Sequence, residues 1–96
     1  MMNVTDRASL KATVCGRVQG VCFRAFVTGW AINLDLTGYV HNLADGNVGV
    51  QAEGVRKQLI EFVRQLETGP PDARVEKVMT VWSAYTGNYA DFRVRC

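Results

Sequence analysis

From Gly16 to Arg24 the chain reads Gly-Arg-Val-Gln-Gly-Val-Cys-Phe-Arg, with apolar alternation before it and helical spacing after it. A strand must therefore hand over to a helix within these nine residues, through a turn carrying two glycines. Gly16 and Gly20 permit backbone angles that other residues avoid, so successive N–H groups can converge on one point instead of entering a ladder. The first turn of the following helix adds donors without internal partners and the positive end of its dipole, a setting that favours a phosphate or carboxylate. Arg24 stands at that helix start as a fixed cation whose planar fork suits two oxygens of one phosphoryl group. On spacing alone, a tight strand-to-helix connection is the better account of a Gly-x-x-x-Gly loop, so the rest of the chain has to decide.

Met1 to Ala8 is polar and is expected to fray. Leu10, Ala12 and Val14 alternate with Lys11, Thr13 and Cys15, the period of a strand with one buried face. Phe23, Phe26, Val27, Trp30, Ala31 and Leu34 then fall on one helix face, which places Phe26 and Trp30 in the core and ends the helix near Asn33 to Asp35. Leu36 to Leu43 reads as a second strand. Ala44-Asp45-Gly46-Asn47 gives a tight hairpin, and Val48 to Glu53 returns antiparallel. Gly54 closes that strand. Val55, Leu59, Phe62, Val63 and Leu66 form the stripe of a second helix, stopped by Thr68-Gly69-Pro70-Pro71. Val75 to Trp82 is a fourth strand whose imperfect alternation predicts a bulge or an edge. Tyr85 to Tyr89 is a turn region, and Phe92, Arg93 and Val94 add a short last strand.

The order β-α-β-β-α-β predicts an α+β fold, the ferredoxin-like plait, in which two helices cover one face of an antiparallel sheet and the first and third strands are central. With 96 residues the chain is expected to form a single domain. A formal net charge of +2, with Lys and Arg scattered among carboxylates, argues against a nucleic-acid partner. No apolar run approaches spanning length and Met1 to Arg7 lacks the apolar region of a secretory signal, so no membrane is expected and the compartment is the cytoplasm. Cys15, Cys22 and Cys96 have no metal spacing, and His41 is the single histidine, so neither a zinc site nor a disulfide framework is expected. A phosphatase nucleophile of the Cys-x5-Arg kind also fails, because Val21 stands six places after Cys15. The small apolar surplus outside the predicted core points to a monomer.

The glycine stretch, together with Gly38-Tyr39-Val40-His41-Asn42, Asp45-Gly46, Ala52-Glu53-Gly54 and the Gly69-Pro70 stop, resembles the acylphosphatase family from about Leu10 onward. The resemblance implies hydrolysis of acyl phosphates to carboxylate and inorganic phosphate, with no metal and no cofactor. It implies that Arg24 anchors the phosphate, that the backbone amides of Gln19, Gly20, Val21, Cys22 and Phe23 cradle it, and that Asn42 orients the attacking water. A phosphoryl oxygen of the substrate is the implied acceptor of the water's proton. Tyr39 stands where the family most often has Trp, and His41 where Arg or Lys is commoner. Cys22 receives no catalytic role.

Each residue also has a plainer reading. Without the joint pattern, Arg24 would be a helix-face arginine paired with a carboxylate, and Asn42 a turn-shaping residue before Asp45-Gly46. The rival functional reading is a non-catalytic module of the same plait, binding RNA or a phosphoryl or carbamoyl-phosphate ligand. An RNA module of this fold stacks bases on aromatics of its central strands. Here the outer faces of those strands carry Lys11, Thr13, Cys15, Asn47, Gly49 and Gln51 instead.

Overall fold

Leu10, Ala12 and Val14 turn to one side of the first strand, and every other element is placed by what covers them. The computed structural model describes residues 6–95; Met1 to Thr5 and Cys96 lie outside the described residues. The elements in chain order are β1 (Arg7–Arg17), α1 (Phe23–Asn33), β2 (Thr37–Asn42), β3 (Val48–Val55), α2 (Arg56–Thr68), β4 (Arg74–Ala84) and β5 (Phe92–Arg95). They build a five-stranded sheet of order β4-β1-β3-β2-β5. The ferredoxin-like plait is the observed fold, with β1 and β3 inside the sheet as expected.

The core lies between the sheet and the helices. Phe23, Val27, Ala31 and Leu34 from the α1 segment, and Leu59, Phe62 and Leu66 from α2, are buried with Leu10, Ala12, Val14, Val40, Val48, Val50 and Ala52 of the strands. Burying a side chain of Leu or Phe size contributes roughly 1.5–3 kcal/mol, so this cluster is the principal reason both helices lie on one face. Phe26 and Trp30 depart from expectation. They are only half-buried, packed against the core's rim, because the buried line of α1 runs through Phe23, Val27, Ala31 and Leu34 and leaves them on its flank.

Several boundaries also differ from the sequence reading. Arg7 and Ala8 do not fray: Ala8 is fully buried and pairs with both Gly54 and Ala84. Asp6 is tied to the start of α2, its carbonyl accepting from the Arg56 amide at 2.8 Å and its carboxylate from Arg56 Nε at 2.9 Å. Gly54 does not close β3, which runs on to Val55 because Arg7 and Ala8 extend the partner strand. The sheet is not wholly antiparallel, since β5 joins the free edge of β2 in parallel, Val40 opposite Val94. β4 is both an edge and bulged. Its register against β1 shifts between Cys15 and Gly16, leaving Glu76 without an opposite. Gly16 sits at φ 131°, where an added Cβ would collide with the Arg74 carbonyl, so the bulge requires glycine.

Because β4 and β5 lie on opposite edges, the chain from Tyr85 to Asp91 must cross the sheet. Glu53 of β3, 1% exposed, holds that crossing: its carboxylate accepts from the Thr86 amide (3.1 Å), the Thr86 hydroxyl (2.7 Å) and the Gly87 amide (2.9 Å). Burial pushes the Glu53 carboxyl up, but the hydrogen bonds from Thr86, Gly87 and Ser9 outweigh it, and the group titrates below its ordinary value. A carboxyl with a lowered folded pKa stabilises above its unfolded pKa, and that stabilisation is lost as pH falls through the folded value. Glu53→Gln is therefore expected to cost about 1.5–3 kcal/mol at neutral pH. In thermal unfolding the gap between parent and variant should close on acidification below the ordinary carboxylate range. A gap independent of pH would mean the ionised carboxylate is not what holds the crossing.

No helix among the described residues is long and apolar enough to cross a membrane.

Candidate active site

β1 and β2 both run antiparallel to β3, and β5 runs parallel to β2, so the C-terminal ends of β1, β2 and β5 share one edge of the sheet. The loop leaving β1, residues 18–22, turns over that edge before α1 begins. Gly20 at φ 74° and Cys22 at φ 60° shape it. Cys22 is the N-cap of α1 in the left-handed region, without a side-chain cap, and its carbonyl accepts from the Phe26 amide at 3.1 Å. Among the described residues, the amides of Gln19, Gly20, Val21, Cys22 and Phe23 donate to no backbone acceptor outside regular helix and strand pairing. Backbone donors in this state, at a helix N-terminus, suit an anion.

A hollow of about 460 Å³ opens at this edge, lined by Val18, Gly20, Cys22, Phe23, Arg24, Ala25, Asn42 and Val94. Of the residues expected at the site, Gly20, Cys22, Phe23, Arg24 and Asn42 therefore meet around one space. Gln19 and Val21 belong to the same loop but do not line it. Val21 is half-buried against the core. Arg24, half-buried, makes no ion pair among the described residues, so the paired helix-face arginine is not what is found. The hollow's lining holds one full charge, the Arg24 guanidinium, and no carboxylate.

Two features escaped the sequence reading. The Gln19 side chain donates from Nε2 to the carbonyls of Leu43 and Asn47, both at 2.8 Å. It thereby fastens the loop to the turn directly after Asn42. That turn is itself closed by the Leu43 amide on the Asn47 carbonyl (2.8 Å) and by Asp45 accepting from the Asn47 amide (3.0 Å). A glutamine between the two glycines of the loop was the available signal, since two donors on one amide can bridge two carbonyls. The second feature is Val94, which reaches the hollow because β5 pairs in parallel beside β2. Nothing in the spacing of a four-residue terminal strand indicated that pairing.

On the opposite face of the sheet, β1 and β3 present no aromatic, as expected, but β2 does. The Tyr39 ring packs edge-on against His41 and Tyr89 and lies 3.7 Å from the Arg95 guanidinium. His41 thus faces away from the hollow that Asn42 lines, with its ring over Gly49.

Plait and hollow together define a small α+β protein with an anion-suited loop at the start of its first helix, and known proteins narrow that class. The model of the acylphosphatase family matches residues 10–94. An acylphosphatase of Dehalococcoides mccartyi is 49% identical over 87 residues, which cover 90% of this chain and 96% of that protein. The solved acylphosphatase from Coxiella burnetii superposes with a TM-score of 0.87 at 40% identity, covering 93% of each chain. The Bacillus subtilis acylphosphatase gives a TM-score of 0.90 at 34% identity, covering 93% of this chain and 99% of that one. This chain belongs to the acylphosphatase family.

Proposed function

We propose that the chain, an acyl phosphate hydrolase by its family, performs that hydrolysis in the hollow at the end of β1, with Arg24 and the loop amides holding the phosphoryl group and Asn42 directing water. The observation that carries this reading is the shared space: a guanidinium with no ion pair among the described residues, the loop residues Gly20, Cys22 and Phe23 and one neutral carboxamide border the same 460 Å³.

The chemistry asks for little more. Water oxygen forms a bond to phosphorus as the bond from phosphorus to the acyl oxygen breaks, and the carboxylate leaves with the electron pair. A carboxylate is a weak base, so no acid is needed to protonate it. The water's proton passes to a phosphoryl oxygen. A loose, metaphosphate-like transition state needs charge stabilisation and an aligned nucleophile. Arg24 and the amides of Gln19 to Phe23 supply the first; the Asn42 side chain, accepting from or donating to water, supplies the second.

The substrate is a small-molecule acyl phosphate and the product inorganic phosphate. The protein works as a single-domain monomer in the cytoplasm, without nucleic acid or membrane as partner. Purified protein is expected to hydrolyse benzoyl phosphate at an undiminished rate in excess chelator. Failure to hydrolyse it, with or without added divalent cation, would favour the non-catalytic module.

A further inference from the structure

Ala25, at the rim of the hollow, also borders a second space. A second depression of about 370 Å³, lined by Ala25, Phe26, Gly29, Trp30 and Asn33, begins at that same residue and follows α1 away from the phosphate loop. Ala25, Gly29 and Asn33 succeed one another at four-residue steps, so they form a line along the helix about 12 Å long at 1.5 Å per residue. Phe26 and Trp30 flank that line, each half-buried and so leaving apolar ring surface open. Gly29 is exposed, and a Cβ added there would meet nothing within 4 Å. No charged side chain borders the depression.

An acyl phosphate is a phosphoryl group with a body attached, and a body leaving the cradle past Ala25 enters this groove. We infer that the α1 groove is the acyl subsite, and that it selects uncharged apolar acyl groups, flat aromatic ones above all, over small or charged ones. The inference rests on the phosphoryl-binding role proposed for the adjoining hollow. A flat ring buries apolar area against Phe26 and Trp30 and can pack on them offset or edge-on. An acetyl group offers a single methyl to such a surface, and a carboxylate would lose water without gaining a partner.

Gly29→Leu tests this with little risk to the fold, because leucine has the better helix propensity and the new side chain points into open space. Initial rates on benzoyl phosphate and acetyl phosphate, with inhibition by inorganic phosphate, are compared between parent, Gly29→Leu and Trp30→Ala. Filling the groove should lower kcat/KM for benzoyl phosphate about tenfold, the scale on which apolar pockets discriminate. The effect should fall on KM, while acetyl phosphate turnover and phosphate inhibition change by less than about twofold. Trp30→Ala should lower the benzoyl-to-acetyl ratio in the same direction. If Gly29→Leu leaves that ratio at the parental value, the groove is not the acyl subsite although the hollow remains the phosphoryl site. If the parent protein hydrolyses neither substrate, the role of the hollow is overturned and the subsite with it.

Discussion

Arg24→Ala is expected to abolish measurable turnover of acyl phosphates and to raise KM for any residual activity. Arg24 is the one full charge bordering the hollow, and no carboxylate among the described residues competes for it. Its guanidinium can contact two phosphoryl oxygens at once, both in the bound substrate and as charge redistributes in the transition state. Loss of a preorganised donor of this kind typically costs roughly 3–4 kcal/mol, or about 10²- to 10³-fold in rate. Here ground-state grip on the phosphate goes as well, so kcat/KM falls further than kcat. Arg24→Lys keeps the charge but not the fork, and should recover only part of the loss. Steady-state kinetics on benzoyl phosphate check all three statements, and parental turnover in Arg24→Ala would remove Arg24 from the site.

Asn42→Ala is expected to fail differently. Asn42 ends β2 at the hollow, is exposed, and carries no charge with which to hold a phosphate. Under the proposed roles, removing its carboxamide leaves the cradle intact but frees the attacking water to wander. Alignment of a nucleophile contributes to the barrier and little to ground-state affinity, so kcat should fall by about 10²-fold or more. Inhibition by inorganic phosphate should stay close to the parental value. The pair of variants thus separates grip from aim: one loses phosphate affinity, the other keeps it. Parental kcat in Asn42→Ala, or a loss of phosphate affinity equal to that of Arg24→Ala, would contradict the division of roles.

Much of this was legible in the chain itself. Period-two apolar spacing from Leu10 to Val14, the helical stripe from Phe23 to Leu34 and the Asp45-Gly46 turn each have one structural solution, and their order leaves the plait as the natural outcome. The convergence of Gly20, Arg24 and Asn42 followed from topology, because β1 and β2 must run the same way if both pair antiparallel with β3. What was not legible depends on contacts distant in sequence. Glu53 sits on a central strand where alternation predicts a solvent-facing side chain. It is buried only because the segment from Tyr85 to Asp91 crosses over it, 33 and 34 residues on at Thr86 and Gly87. The Gln19 amide finds its two carbonyls 24 and 28 residues away. Ala8 was expected to fray because a single strand end looks polar, yet two neighbouring strands enclose it. Phe26 and Trp30 fit the apolar stripe by spacing, but periodicity cannot say which line of that stripe faces the sheet, and here it is Phe23, Val27, Ala31 and Leu34.

The proposed site depends on main-chain N–H groups, together with one guanidinium, taking hold of a phosphoryl group. Amide proton and nitrogen shifts of the intact protein, followed while inorganic phosphate is titrated in excess chelator, read those groups one by one. The resonances of Gly20, Cys22 and Phe23 should move saturably and together with the Arg24 side-chain signal, leaving those of α2 in place. Saturable phosphate binding that shifts other amides while these stay fixed would contradict it.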